Sequence, residues 1–158
     1  MNEQHMYDIL RKLLDKTNVE LISENIVIQG DDGRYELFGE YVISRVDGKY
    51  LVSSHKSYLE KYFFTLKNAV IWITLYKLNK LASAKRVSDL DSSLEGANFS
   101  VELNDKLSKR AKNLETKSLY IAKLVESKTK RMAIRKELDT FEQQVKAWQY
   151  QKFEQLVS

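Results

Sequence analysis

The chain has 158 residues, of which 43% are hydrophobic and 30% charged, with no cysteine. That suits one small domain, alone or with an appendage, and excludes a disordered tail, a disulfide framework, a thiolate nucleophile and a Cys-based zinc site. The net charge of +4 is uneven: residues 1–96 hold 13 Lys/Arg against 14 Asp/Glu, whereas residues 97–158 hold 13 against 8.

The N-terminus is polar and then amphipathic. It lacks the basic and then apolar regions of a secretory signal, so none is expected. Met6, Ile9, Leu10, Leu13 and Leu14 recur at helical spacing, which predicts a helix over 4–16. The period then changes to two, through Val19, Leu21, Ile26 and Ile28. Gly30, Asp31, Asp32 and Gly33 supply the positive φ of a tight hairpin before Tyr35 and Leu37. A second hairpin is clearer. Runs 40–46 and 49–53 flank Asp47-Gly48, a pair favoured in type I′ turns. A two-residue loop pairs Arg45 with Tyr50 and Ile43 with Val52, so Tyr41, Ile43, Tyr50 and Val52 share one half-buried face. Gly39 reads as a bulge or bend.

Thr65 can cap a helix from Leu66 to about Ala84. The run Ala69–Tyr76 is far shorter than the roughly twenty residues that span a bilayer, so a buried helix is expected and no membrane association. It is apolar around most of its circumference and needs cover on two sides: the sheet on one, a second helix or a second subunit on the other. Residues 86–98 read as a connector, with a capping-box-like Ser88–Asp91 turn and Gly96 as a stop.

The last sixty-two residues, Ala97 to Ser158, contain no glycine or proline and read as long helix. Leu107, Leu114 and Ile121 fall seven apart, as do Ala111, Ser118, Val125 and Met132. The stripe resumes one residue out of phase at Ile134, Leu138, Phe141, Val145 and Trp148. Between the runs, Ser127–Arg131 is wholly polar. Two arrangements follow: one continuous helix, or two helices folding back as a hairpin near Ser127–Lys130.

The pattern yields an α+β fold: a small antiparallel sheet packed on a central helix, followed by long C-terminal helices as a helical hairpin or coiled coil. The divisions are a head over 1–85, a connector over 86–98 and a helical tail over 99–158. Leu107, Leu114, Ile121, Val125, Leu138, Phe141, Val145 and Trp148 are the candidate interface, for a homo-oligomer or another protein partner.

Catalytic chemistry finds no foothold. His5 and His55 are far apart, no nucleotide-binding, zinc-protease or nucleophile-elbow motif occurs, and Asp31, Asp32 and Asp47 sit where turns need aspartate. No cofactor, metal or small-molecule substrate is expected. A second function class is nucleic-acid binding. Lys128, Lys130, Arg131, Arg135 and Lys136 form an acid-free run, with Lys128, Arg131 and Arg135 on one helix face, and Lys106, Lys109, Arg110 and Lys112 form a second cluster. Arg34, Arg45, Lys49, Tyr35 and Tyr50 on the sheet could add to it.

Phe38-Gly39-Glu40-Tyr41-Val42-Ile43-Ser44-Arg45, then Asp47–Val52, then Phe64–Lys77 with its Phe-x-Leu-Lys-Asn-Ala-Val-x-Trp helix start, resembles a pattern in small uncharacterised proteins of large tailed phages of marine bacteria. The resemblance covers residues 38–77, a quarter of the chain. It implies a viral origin, a structural or assembly role, and a location in the virion or the bacterial host cytoplasm. It brings no catalytic residues.

Overall fold

The computed structural model describes residues 27–29, 34–37, 40–54 and 56–157. The helix expected over 4–16, the turn at 30–33, Gly39 and both histidines lie outside these residues. Five strands, β1 (Val27–Gln29), β2 (Arg34–Leu37), β3 (Tyr41–Val46), β4 (Lys49–Ser54) and β5 (Glu60–Phe63), form one antiparallel meander in sequence order. Three helices follow: α1 (Leu66–Lys77), α2 (Leu81–Arg110) and α3 (Leu114–Val157). The architecture is α+β, as the pattern implies, with two long C-terminal helices paired as an antiparallel hairpin.

The β3–β4 turn has φ of 51° at Asp47 and 77° at Gly48. Two positive φ values define the type I′ turn, whose twist matches the flanking strands. The register follows, with Arg45 opposite Tyr50 and Ile43 opposite Val52. Leu37, Tyr41, Ile43, Val52 and Phe63 are buried on the resulting inner face and pack on α1. Burial raises the Tyr41 phenol to about 12, and the charge of Glu40 adds to the effect.

Every residue of α1 from Asn68 to Leu75 is buried. The sheet covers one side, and α2 and α3 of the same chain cover the rest. No second subunit is needed for this helix. The Thr65 hydroxyl accepts from the Asn68 backbone N–H at 3.1 Å and caps the helix. A second group reaches the same corner from α2. Asp91, 2% exposed, accepts from the Phe64 backbone N–H at 2.9 Å and from Asn68 Nδ2 at 2.9 Å. These bonds tie the β5–α1 junction to α2. Burial still dominates the carboxyl's titration and pushes its pKa above the ordinary aspartate value; the hydrogen bonds oppose that shift in part.

Three expectations need correction. The central helix was expected to run to about Ala84, but it ends at Lys77. Asn79 takes φ 61°, its N–H bonds the Tyr76 carbonyl, and the Lys80 N–H bonds the Leu75 carbonyl. That is a Schellman motif with asparagine in the left-handed position, and it satisfies the last carbonyls of α1. The connector over 86–98 is instead the middle of α2, and Gly96 does not stop it. Burial of Ala84, Val87, Leu90, Ala97 and Val101 along α2 outweighs the roughly 1 kcal/mol that one mid-helix glycine forfeits. The fold-back near Ser127–Lys130 is likewise overturned, because α3 passes through those residues unbroken. The chain reverses at 111–113, where Ala111 is extended and the Asn113 side chain accepts from the Thr116 N–H at 2.7 Å. Charge alone does not break a helix, whereas an N-cap asparagine starts one.

Three predictions test this account. A Cβ at Gly96 would meet nothing within 4 Å, so Gly96→Ala should stabilise the protein by about 0.5–1 kcal/mol in denaturant unfolding. Asp91→Ala should destabilise it by about 1–3 kcal/mol, through unmade hydrogen bonds to Phe64 and Asn68. An acid whose pKa is raised by folding holds its proton more tightly when folded. Its contribution to stability is therefore least above the raised pKa and grows as pH falls through it. The stability gap between wild type and Asp91→Ala should accordingly widen on acidification from about pH 7 to about pH 4. A narrowing gap would mean that the hydrogen bonds, not burial, control the carboxyl.

Candidate interaction surface on the helical hairpin

The candidate interface residues divide at one point on α3. Ile134, Leu138 and Val145 are buried in the head core, and Phe141 packs against it. Trp148 and Leu107 are half-buried. Leu114, Ile121 and Val125 are 80%, 44% and 58% exposed, and Met132, which continues their stripe, is 70% exposed. The change falls between Met132 and Ile134, where the apolar spacing slips phase. At about 100° per residue, Leu114, Ile121, Val125 and Met132 lie within an arc of roughly 40°, and Ile134, Leu138 and Val145 centre about 140° away. One unbroken helix thus turns one apolar stripe to its own head and a second to solvent. Phe99 and Leu103 on α2 are also exposed, at 64% and 43%.

Charge pairing changes at the same place. Glu142, although buried, is bonded by Lys67 from α1 and by Lys146 at 3.3 Å. Glu137 takes a two-pronged contact from Arg86, at 2.7 Å to Nε and 3.2 Å to Nη2. Towards the hairpin tip the pairing thins, and among the described residues Lys109 with Asp105 at 3.0 Å is the one ion pair there. Lys128, Lys130, Arg135 and Lys136 are exposed and Arg131 is half-buried. Lys128, Arg131 and Arg135 share a face as their spacing implies, while Lys130 and Lys136 point elsewhere around the helix. The sheet residues do not join them. Tyr35 and Tyr50 pack against the core, Arg45 lies over the Tyr50 ring at 5.6 Å, and Lys49 lies 5.3 Å from the Phe64 ring centre.

Among the described residues, two shallow cavities flank the hairpin. One, of about 260 Å³, lies between α2 and α3 and is lined by Ser93, Gly96, Ala97, Ser100, Ser127 and Lys130. The other, of about 300 Å³, opens beside the start of α1, between Thr65, Asn68, Leu94 and Arg135. Among the described residues no three His, Cys, Asp or Glu side chains gather as a metal site, and no helix is long and apolar enough to cross a membrane. Asp47 is a turn former, and Asp31 and Asp32 lie outside the described residues.

Among the described residues the buried carboxylates are Asp91 and Glu142; the sequence pattern put Asp91 in a capping turn and gave Glu142 no role. Asp91 bonds a residue 27 positions away, so no local pattern marks that contact. No family model, no curated protein and no solved structure matches the chain.

The two stripes predict opposite mutational effects. Leu138→Ala should destabilise the protein by about 2–5 kcal/mol, as a buried leucine does. Leu114→Ala should stay within about 0.5 kcal/mol of wild type. Equal losses in thermal or denaturant unfolding would mean that the outer stripe is part of the core.

Proposed function

We propose that this is a non-enzymatic structural or interaction protein that self-associates along the distal half of its helical hairpin. The observation that carries the reading is the exposed stripe Leu114, Ile121, Val125 and Met132 on a face of α3 turned away from the head. The stripe is narrow. A surface helix that packs on a globular core shows an apolar face of 100° or more, whereas a seam this narrow is the geometry of a helix paired with another helix. With Ser118 and Lys128 it completes a heptad pattern, and one polar residue in such a seam fixes register at some loss of stability. From Leu114 to Met132 the seam is about 27 Å long. Burying four side chains from each copy gives of the order of 10 kcal/mol, most of which association entropy offsets. The self-association proposed is therefore of micromolar strength or weaker, suited to a lattice or assembly in which many copies meet. The setting we propose is a phage particle or its assembly in the bacterial host cytoplasm, on the pattern over 38–77.

Light scattering from about 10 µM to about 500 µM tests this, since that range brackets a weak seam of this size. Apparent mass should rise with concentration, and Ile121→Glu with Val125→Glu should hold the protein monomeric with an unchanged melting curve. A wild type that stays monomeric throughout overturns the proposal. So does a double variant that associates like the wild type.

A further inference from the structure

Between Lys106 and Lys136 the chain carries eleven Lys/Arg against two acids, Glu115 and Glu126. Ten of the eleven are exposed, and Arg131 is half-buried. Among the described residues only Lys109 forms an ion pair, with Asp105 at 3.0 Å. A solvated helix ordinarily intersperses acids with its lysines. This chain does so where α3 packs on the head, and beyond it only at Glu115 and Glu126.

The charges are also sorted by face. At about 100° per residue, Lys117, Lys128, Arg131 and Arg135 fall within an arc of roughly 60°, and Glu115 and Glu126 lie on the opposite side of the helix. Lys117 and Arg135 are about 27 Å apart along the axis, a little less than one turn of B-form duplex at about 34 Å.

We propose that this face of α3 binds the phosphate backbone of a nucleic-acid duplex without reading its sequence. A row of lysines and arginines neutralises phosphates, and phosphate contacts carry affinity rather than base specificity. The row contains no asparagine or glutamine to read adenine. A duplex fits better than a single strand, because single-strand binders need aromatic platforms for bases to stack on. The aromatic nearest the row, Tyr120, is half-buried with Lys123 Nζ 5.8 Å from its ring. A membrane surface fits worse, because the adjoining apolar stripe is too narrow for the broad face of an interfacial helix.

Fluorescence anisotropy of the full chain with a labelled duplex of about 20 base pairs tests the proposal, a length that covers the row. With four phosphate contacts, affinity should fall roughly 150-fold between about 50 mM and about 200 mM salt. Lys128→Glu with Arg131→Glu and Arg135→Glu should abolish binding, while Lys128→Arg with Arg131→Lys and Arg135→Lys should keep it, both with unchanged melting. Absence of duplex binding at low salt overturns the proposal. Equal affinity for polyglutamate, or preference for phosphatidylserine vesicles, also overturns it. The inference is separable from self-association by a neutral change: Ile121→Ser with Val125→Ser removes apolar side chains from the seam, places no acid beside Lys117 and Lys128, and should retain salt-dependent duplex binding. Loss of that binding in this variant would overturn the claim that this row suffices.

Discussion

The fold depends on one constraint: α1 is apolar around most of its circumference and cannot rest on the sheet alone. Eight successive residues, Asn68 to Leu75, are buried. Fully burying the larger apolar side chains among them contributes of the order of 10 kcal/mol. A sheet covers one flank of a helix, so the remainder must come from elsewhere. The chain supplies it by folding α2 and α3 back across α1. Asp91 then fixes where that second layer meets the first. Its carboxylate accepts from the last residue before the helix cap and from Asn68 within the first turn. Burial makes the charge unfavourable there, and the donors around it offset part of that penalty. The corner therefore favours one placement of α2 over others that would leave the carboxylate unmatched.

How much of this was legible in the sequence varies with the range of the interaction. The β3–β4 hairpin was readable because Asp47-Gly48 fixes the turn and alternation fixes the faces. Helix content was readable from periodicity, but the breaks were not. Asn79 is the residue a helix uses when it ends in a left-handed position, yet Leu78 and Leu81 continue the apolar rhythm and mask it. Gly96 looks like a stop, but the buried small face of α2 overrides it. The hairpin turn at 111–113 contains neither glycine nor proline, so only the capping role of Asn113 marks it, and that role shows only once the helix start is known. The Asp91 contacts are long-range and had no signal in the chain order.

The phase slip between Met132 and Ile134 means more in the structure than in the sequence. In the sequence it divides an apolar stripe. In a straight helix it rotates the stripe by about 140°, so that one element serves the core over its second half and solvent over its first. A phase slip makes this division within one unbroken helix. It also lets the distal half carry a surface free of the requirements of folding, because Leu114, Ile121, Val125 and Met132 take no part in the core cluster.

The outer stripe and the basic row are neighbours on that half, and Lys128 belongs to both. Their physics is opposed. A seam bordered by Lys117, Lys128 and Arg135 brings like charges together when two copies pair, so salt, by screening them, favours association. A phosphate backbone held by the same residues is released as salt rises, because the displaced counterions return. A polyanion lying along the row would neutralise the repulsion that limits the seam. Duplex and second copy would then each strengthen the binding of the other, with the coupling required to be equal in both directions. A chain whose seam is too weak to assemble alone would in that case assemble where nucleic acid is present.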